Sequence, residues 1–231
     1  ARLFSGLGGD NEKLAYAVMK RGLTMDDLAA AASPLDLADL GLRFDLTVPL
    51  ARFYASNRGV LPGVFRSIQI APVWRAERPQ KGRFRQFIQC DIDIIGDATP
   101  LAEIELLSAS LNVLNVLGLT DAVIRVNHRE LLVKLLNDLG VAEKDHGSAM
   151  ITIDKLDKIE LAGVVAELTE RQGESVAKAF EAWFLNVDTT VVPAELANIF
   201  ELVEPGRLRY DPTLVRGMGY YTGPIFEIEH P

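Results

Sequence analysis

Five cations crowd the stretch from Arg75 to Arg85, namely Arg75, Arg78, Lys81, Arg83 and Arg85, with Glu77 as the only acid among them. The chain as a whole is acidic, with a formal net charge of −8, so this local excess of positive charge runs against the composition. Planar, permanently charged guanidinium forks suit a bidentate grip on phosphate or carboxylate oxygens. Immediately downstream, odd positions carry Arg83, Arg85, Phe87, Gln89, Asp91 and Asp93, whereas even positions carry Phe84, Ile88, Cys90, Ile92 and Ile94, with Gln86 the one polar exception. Strand side chains alternate faces with period two, so one face is apolar and the other is a row of charges, an amide and one ring. An ordinary solvated hairpin tip would account for the cations. It would not require polar residues as far from the turn as Gln89 and Asp93. The row reads instead as the floor of a binding cleft whose opposite, apolar face is buried.

The elements around this stretch must hold it in place. A strand from Ile68 to Arg75 puts Gln69, Ala71, Val73 and Arg75 on one face and Ile68, Ile70 and Trp74 on the other, and the hairpin as a whole spans Ser67 to Gly96. Pro79 and Gly82 supply turn chemistry between the two strands. Upstream, Asn11 is placed to cap a helix carrying Leu14, Ala17 and Val18, and Leu23 to Leu40 reads as a short helix and loop. Leu42 to Thr47 reads as a strand, followed by a helix with Pro49 in its first turn. Asp45 and Thr47, at that strand end, could receive an ammonium group or simply satisfy nearby backbone. Downstream, TPLAEIELLSASLNVLNVL from Thr99 to Leu117 is the clearest helix, with Thr99 as cap, Pro100 in the first turn and Gly118 as stop. Ala122 to Asn127 reads as a strand, and His128 as a cap or loop residue before an amphipathic helix. Residues 141–204 are mostly helix formers, and strands return at Leu208 to Asp211 and Ile225 to Ile228.

At 231 residues and 48% hydrophobic content the chain can bury a substantial core. The acidic balance argues against a generic nucleic-acid coat, so any RNA contact falls to a local basic patch. Cys90, the single cysteine, reads as core packing and excludes a disulfide scaffold. No apolar run is long enough to span a bilayer and no signal peptide is evident, so a soluble cytoplasmic protein without a membrane partner is expected. The histidines His128, His146 and His230 are isolated, and no spacing suggests a metal site.

Taken together, WRAERPQKGRFRQFIQCDID at Trp74 to Asp93, LRFDLTVPLARF at Leu42 to Phe53 and LVRGMGYYTGPIFE at Leu214 to Glu227 resemble three segments of the histidyl-tRNA synthetase family, the first being similar to motif 2 of class II aminoacyl-tRNA synthetases. The resemblance covers nearly the whole chain. It implies an α+β fold with a mixed, mainly antiparallel class II synthetase-type sheet flanked by helices and interrupted by a helical insertion. The domains expected are a catalytic core over 1–140, the insertion over 141–204 and a return to the core over 205–231. Motif 1, motif 3 and an anticodon-binding domain are not found in these residues.

By the same resemblance, Arg75 bridges the α-phosphate of ATP and the carboxylate of histidine, and Arg216 is a second catalytic arginine at that phosphate. Glu77 and Phe87 meet the adenine, Arg83 and Arg85 approach the phosphates, and Asp45, Thr47, Gln89, Asp93, Tyr220 and Tyr221 line the histidine pocket. Bacterial members usually have Glu at the position of Asp93, and many members have Asp at that of Gly219. The implied reaction joins histidine to its tRNA through histidyl-adenylate, with ATP and Mg2+, tRNA contacted at the acceptor stem, and a homodimer as the assembly. A histidine-sensing regulatory subunit of ATP phosphoribosyltransferase shares the fold and is the alternative. It would not need the ATP-side residues Arg75, Glu77, Arg83, Phe87 and Arg216.

Overall fold

The computed structural model describes residues 14–216 and 221–231. The chain divides into two compact units, Ala1–Asp97 and Ala98–Pro231. In the first, β1 (Ala17–Met19) pairs antiparallel with β2 (Ala38–Gly41). Between them lies α1 (Met25–Ala30), opened by a capping box in which Thr24 Oγ1 accepts from the Asp27 N–H and the Asp27 carboxylate accepts from the Thr24 N–H. The helix expected around Leu14, Ala17 and Val18 is therefore β1 over its last residues, while Asn11 lies outside the described residues. The strand expected over Leu42–Thr47 ends instead at Gly41, and α2 (Thr47–Asn57) already begins at Thr47, with Pro49 in its first turn. Residues 42–46 form an irregular bridge that is tied to the end of the next strand: Trp74 N–H donates to the Arg43 carbonyl at 3.0 Å, and Arg43 Nε donates to the Pro72 carbonyl at 2.7 Å.

The hairpin itself is β3 (Phe65–Trp74) and β4 (Gln86–Ile95), antiparallel and in unbroken register from Phe65 opposite Ile95 to Trp74 opposite Gln86. This register explains the single polar residue on the apolar face, because the Trp74 indole N–H donates to Gln86 Oε1 at 2.9 Å across the strand pair. The burial of the two faces is the reverse of the expectation. Ile68, Ile70 and Ile88 are 73%, 68% and 63% exposed, and Cys90 is exposed too, so it is not a core residue. The polar face is the covered one: Val73 is fully buried, Leu46 and Leu50 are buried in the same unit, and Gln69 Nε2 donates to the Leu46 carbonyl at 3.2 Å. The physical reason is that the 42–46 bridge accepts hydrogen bonds from Gln69 and Arg75 of the odd-numbered face, and hydrogen bonds can close over a polar face that hydrophobicity alone would leave in water.

The second unit is built on a three-stranded mixed sheet in the order β6 (Leu208–Tyr210), β5 (Val123–His128), β7 (Pro224–Glu229), with β5 parallel to β6 and antiparallel to β7. Helix α3 (Leu101–Val116) precedes it; its N-cap is Pro100 and not Thr99 as expected, Thr99 Oγ1 only accepting the Leu101 N–H at 3.4 Å one residue outside the cap, and its end is marked by Gly118 at φ +78°. His128 caps α4 (Arg129–Asp138) by accepting the Glu130 N–H. Then follow α5 (His146–Ile153), α6 (Leu156–Gln172), α7 (Glu174–Asn186) and α8 (Ala197–Leu202). Alternation along β5 sorts the core: Ile124 and Val126 pack with Leu107 and Leu111 of α3 and Ile199 of α8. Arg125 and Asn127 point the other way and secure residues 211–214. Arg125 Nε donates to Asp211 at 2.6 Å, and the buried Asn127 amide donates to the Pro212 and Leu214 carbonyls at 3.1 Å each.

Where β4 ends, Gly96 adopts φ +99°, and a Cβ there would fall 2.0 Å from the Gly63 carbonyl oxygen. Both the left-handed backbone and the close approach require glycine. Gly96→Ala is expected to cost roughly 2–3 kcal/mol of stability, measured by denaturant unfolding; a change within about 0.5 kcal/mol, the range of a neutral surface substitution, would contradict this account.

Candidate active site

The odd-numbered face of the hairpin places Arg75 and Phe87 together, since Val73 is opposite Phe87 and the next backbone bond runs from the Arg75 N–H to the Arg85 carbonyl at 2.9 Å. The Arg75 guanidinium lies over two rings, 4.6 Å from the Phe44 centroid and 5.0 Å from that of Phe87, and its Nε donates to the Phe44 carbonyl at 3.2 Å. The two aromatic contacts orient the cation without neutralising it. Among the described residues no acid pairs with Arg75. Glu77 instead receives Arg83 Nη1 at 3.0 Å, and its carbonyl receives Arg85 Nε at 3.2 Å, which folds the charged loop back on itself.

A cleft of ≈ 240 Å³ opens here, lined by Arg75, Glu77, Gly82, Arg83, Phe84 and Phe87. Four of the residues singled out from sequence are thus brought together, whereas Arg85 is not among the lining residues. Phe84 and Phe44 are the two that pattern reasoning passed over. Phe84 was placed on the apolar strand face, but β4 begins only at Gln86, so residue 84 lies in the loop and strand alternation does not govern it. Phe44 carries no pattern signal of its own except that it immediately precedes Asp45.

Farther along the same face, Gln69, Gln89, Asp91 and Asp93 form a polar floor, with Gln69 opposite Asp91 and Ala71 opposite Gln89. Gln89 Nε2 donates to Asp91 at 3.0 Å. Gln89 Oε1 and Asp93 Oδ2 are buried and have no hydrogen-bond donor among the described residues. Burial first, then the neighbouring Asp91 charge, pushes the Asp93 carboxyl above its ordinary range, while a hydrogen bond from Gln69 pulls it partly back. Two buried acceptors, one of them anionic, suit a ligand that brings N–H groups of its own. Asp45 accepts the Val48 N–H at 3.4 Å, a backbone-capping contact, and Thr47 is exposed at the start of α2.

In the second unit, Arg216 follows the buried Leu214 and Val215, its Nη1 donating to Asp154 at 2.7 Å and its Nη2 to Glu227. Tyr221 is 42% exposed. Tyr220 and Gly219 lie outside the described residues. Neither Asp154 nor Glu227 was singled out from sequence, where each reads as an ordinary charged residue of a helix end or strand.

An α+β chain of this topology, with an arginine-bearing antiparallel hairpin whose polar face forms a cleft, has the catalytic fold of class II aminoacyl-tRNA synthetases. It is similar to the solved structure of histidyl-tRNA synthetase from Nostoc sp. PCC 7120, with a TM-score of 0.69 at 28% identity over 86% of this chain and 51% of that one. A solved ATP phosphoribosyltransferase regulatory subunit/histidyl-tRNA synthetase from Bacillus halodurans C shares the fold, with a TM-score of 0.70 at 21% identity over 95% of this chain and 58% of that one. The histidyl-tRNA synthetase family model matches residues 29–231, and the chain belongs to that family. It is 55% identical to a histidine–tRNA ligase of Leifsonia xyli subsp. xyli over its whole length. The chain spans about 60% of the length of these curated relatives, a histidine–tRNA ligase of Leifsonia xyli and a probable one of Tropheryma whipplei.

An acid whose pKa rises on folding binds its proton more tightly in the folded chain. Stability therefore falls as pH climbs through the ordinary carboxyl value of 3.8 toward the raised one, and the cost persists at neutral pH. Asp93→Asn is expected to melt at a higher temperature than the parent at pH 7, with the gap closing below pH 3.8. A lower melting temperature at pH 7, or a gap independent of pH, would show that the desolvation of Asp93 is not what destabilises the site.

Proposed function

We propose that the chain is the catalytic part of a histidine–tRNA ligase, which forms histidyl-adenylate and pyrophosphate from histidine and ATP and then transfers histidine to tRNA. The observation that carries this reading is that one sheet face holds both an uncompensated, ring-clamped arginine and two buried acceptors without donors. The first suits an anionic group and the second an N–H-rich one, and an amino acid meeting ATP presents both. Support comes also from the names of the relatives, histidine–tRNA ligases at up to 55% identity among those compared.

Arg75 holds the α-phosphate and the histidine carboxylate at attacking distance and offsets the charge that develops on phosphorus. Phe87 and Glu77 receive the adenine, and Arg83 with Arg85 approaches the phosphates. Asp45, Thr47, Gln89, Asp93, Tyr220 and Tyr221 form the histidine pocket, where Asp93 favours an imidazole N–H over an apolar isostere. Arg216 supplies the second guanidinium of the reaction. Mg2+ enters with ATP as part of the substrate; no group of three or more His, Cys, Asp or Glu side chains is clustered as metal ligands among the described residues. The core spans 1–140 and 205–231, with 141–204 as a helical insertion directed to the tRNA acceptor stem. The protein works as a cytoplasmic homodimer. Among the described residues no helix is long and apolar enough to cross a membrane. The regulatory-subunit reading has less support, because the cleft keeps Arg75, Glu77, Arg83 and Phe87 together, and a histidine sensor has no use for them.

The test is histidine-dependent exchange of pyrophosphate into ATP by the full-length protein. Exchange that requires histidine is expected, and histidine binding without exchange would move the chain to the regulatory class. Arg75→Ala is expected to abolish exchange; near-normal turnover would remove Arg75 from the reaction. Phe87→Ala is expected to weaken ATP more than histidine, by about 1 kcal/mol or somewhat more. Equal losses for the two ligands would make the ring a purely structural support of Arg75.

A further inference from the structure

We propose that Asp154, in the helical segment, is a positioning residue for Arg216, so that the aim of this guanidinium is set from outside the sheet whose strands flank it. The inference rests on the synthetase reading and adds a residue to it. Arg216 Nη1 donates to Asp154 Oδ1 at 2.7 Å and to the Val215 carbonyl at 3.3 Å, while Nη2 donates to Glu227 of β7. Glu227 belongs to the same sheet as the strands flanking Arg216. Asp154 does not: it closes the C-terminal end of α5, a helix distant in sequence from Arg216.

The pair differs from a solvated surface contact. The two side chains are 39% and 35% exposed, and the backbone on both sides is pinned. Ile153, the residue before Asp154, packs in one buried cluster with Leu214 and Val215, the residues before Arg216. On the sheet side, Asn127 holds the Pro212 and Leu214 carbonyls, and Arg125 bridges Asp211 and Asp157. These contacts fix the backbone from which both side chains project. Burial, together with the nearby Glu227 and Asp157 charges, pushes the Asp154 carboxyl above its ordinary range, and the Arg216 and Lys158 charges pull it partly back, so the cation is the main favourable partner of this carboxylate. Arg216 Nε has no acceptor among the described residues, which leaves one donor of the fork uncommitted. Part of the fork is thus anchored and one donor is left over, the arrangement that converts a flexible side chain into an aimed donor.

The test uses the full-length protein, with histidine-dependent pyrophosphate exchange as readout and thermal melting as control. Asp154→Asn keeps the volume and removes the charge. It is expected to lower kcat about tenfold or more, to change KM for histidine by less than about twofold, and to leave the melting temperature close to that of the parent. Asp154→Glu keeps the charge and shifts it by one methylene, and its kcat is expected to fall between the parent and D154N. Glu174→Gln removes an exposed carboxylate of the same helical segment that pairs with Lys178 and not with Arg216, and parent-like exchange is expected. Unchanged kcat in D154N would overturn the inference. So would D154E turning over at the parent rate should D154N not fold, or a loss in E174Q as large as in D154N, which would mean general loosening of the segment. No histidine-dependent exchange in the parent would overturn the synthetase reading itself, an outcome distinct from an active parent and an equally active D154N.

Discussion

The Arg75 guanidinium, held between the rings of Phe44 and Phe87 and tied through Nε to the Phe44 carbonyl, is the contact on which the first unit's candidate chemistry depends. Each part of it comes from a different element. Phe87 is delivered by the β3–β4 register, and a slip of one residue would send it to the opposite face of the sheet. Phe44 is delivered by the 42–46 bridge, which is locked to β3 by the Arg43 and Trp74 hydrogen bonds. The Gly96–Gly63 approach at the far end of the hairpin holds the strands where this register begins. A clamp made from rings has a consequence that a clamp made from carboxylates lacks: the cation is oriented while its charge remains available to an incoming anion.

The same face shows what it costs to build a polar floor under cover. Gln69, Gln89 and Asp93 are drawn out of bulk water, and one amide oxygen and one carboxylate oxygen are left without donors. Such groups destabilise the fold by the desolvation that no protein partner offsets. A ligand carrying N–H groups would regain part of that energy on binding, which is how the proposed histidine pocket would turn lost stability into selectivity. Meanwhile Ile68, Ile70, Ile88 and Ile92 are exposed on the reverse face of the same hairpin.

Much of this was legible in the sequence, and the misses have identifiable causes. Alternation from Phe87 to Asp93 was read correctly because a strand's faces follow from parity alone. Which face is covered does not follow from parity: it was decided by the hydrogen bonds of the 42–46 bridge, which no periodicity announces. Phe84 was misplaced because alternation was carried two residues beyond the strand's start. The strand expected over Leu42–Thr47 failed for a related reason, since apolar residues alternating with Arg43 and Asp45 match a strand template whether or not a neighbouring strand is available to pair with. The stop at Gly118 and the cap at His128 were readable, because each is satisfied within one turn of its own position, whereas the cap of α3 falls at Pro100 and not at Thr99. The partners of Arg216 were unreadable for the opposite reason: Asp154 is joined to it only through the tertiary packing of Ile153 against Leu214 and Val215.

The two arginines assigned to the reaction are therefore restrained by opposite means. Arg75 is aimed by aromatic faces and one carbonyl, so it keeps a full positive charge in a chain of net charge −8. Arg216 is aimed by two carboxylates, so its immediate cluster with Asp154 and Glu227 is net negative. An anion would be drawn to Arg75 by field as well as by hydrogen bonds, but to Arg216 by direction alone, because its charge is already compensated nearby. That difference suits a division of work. A residue that must capture a phosphate and a carboxylate from solution benefits from an uncompensated charge. A residue that must donate to one oxygen as its charge grows benefits more from fixed geometry, since the interaction then strengthens in the transition state without tightening the ground state equally.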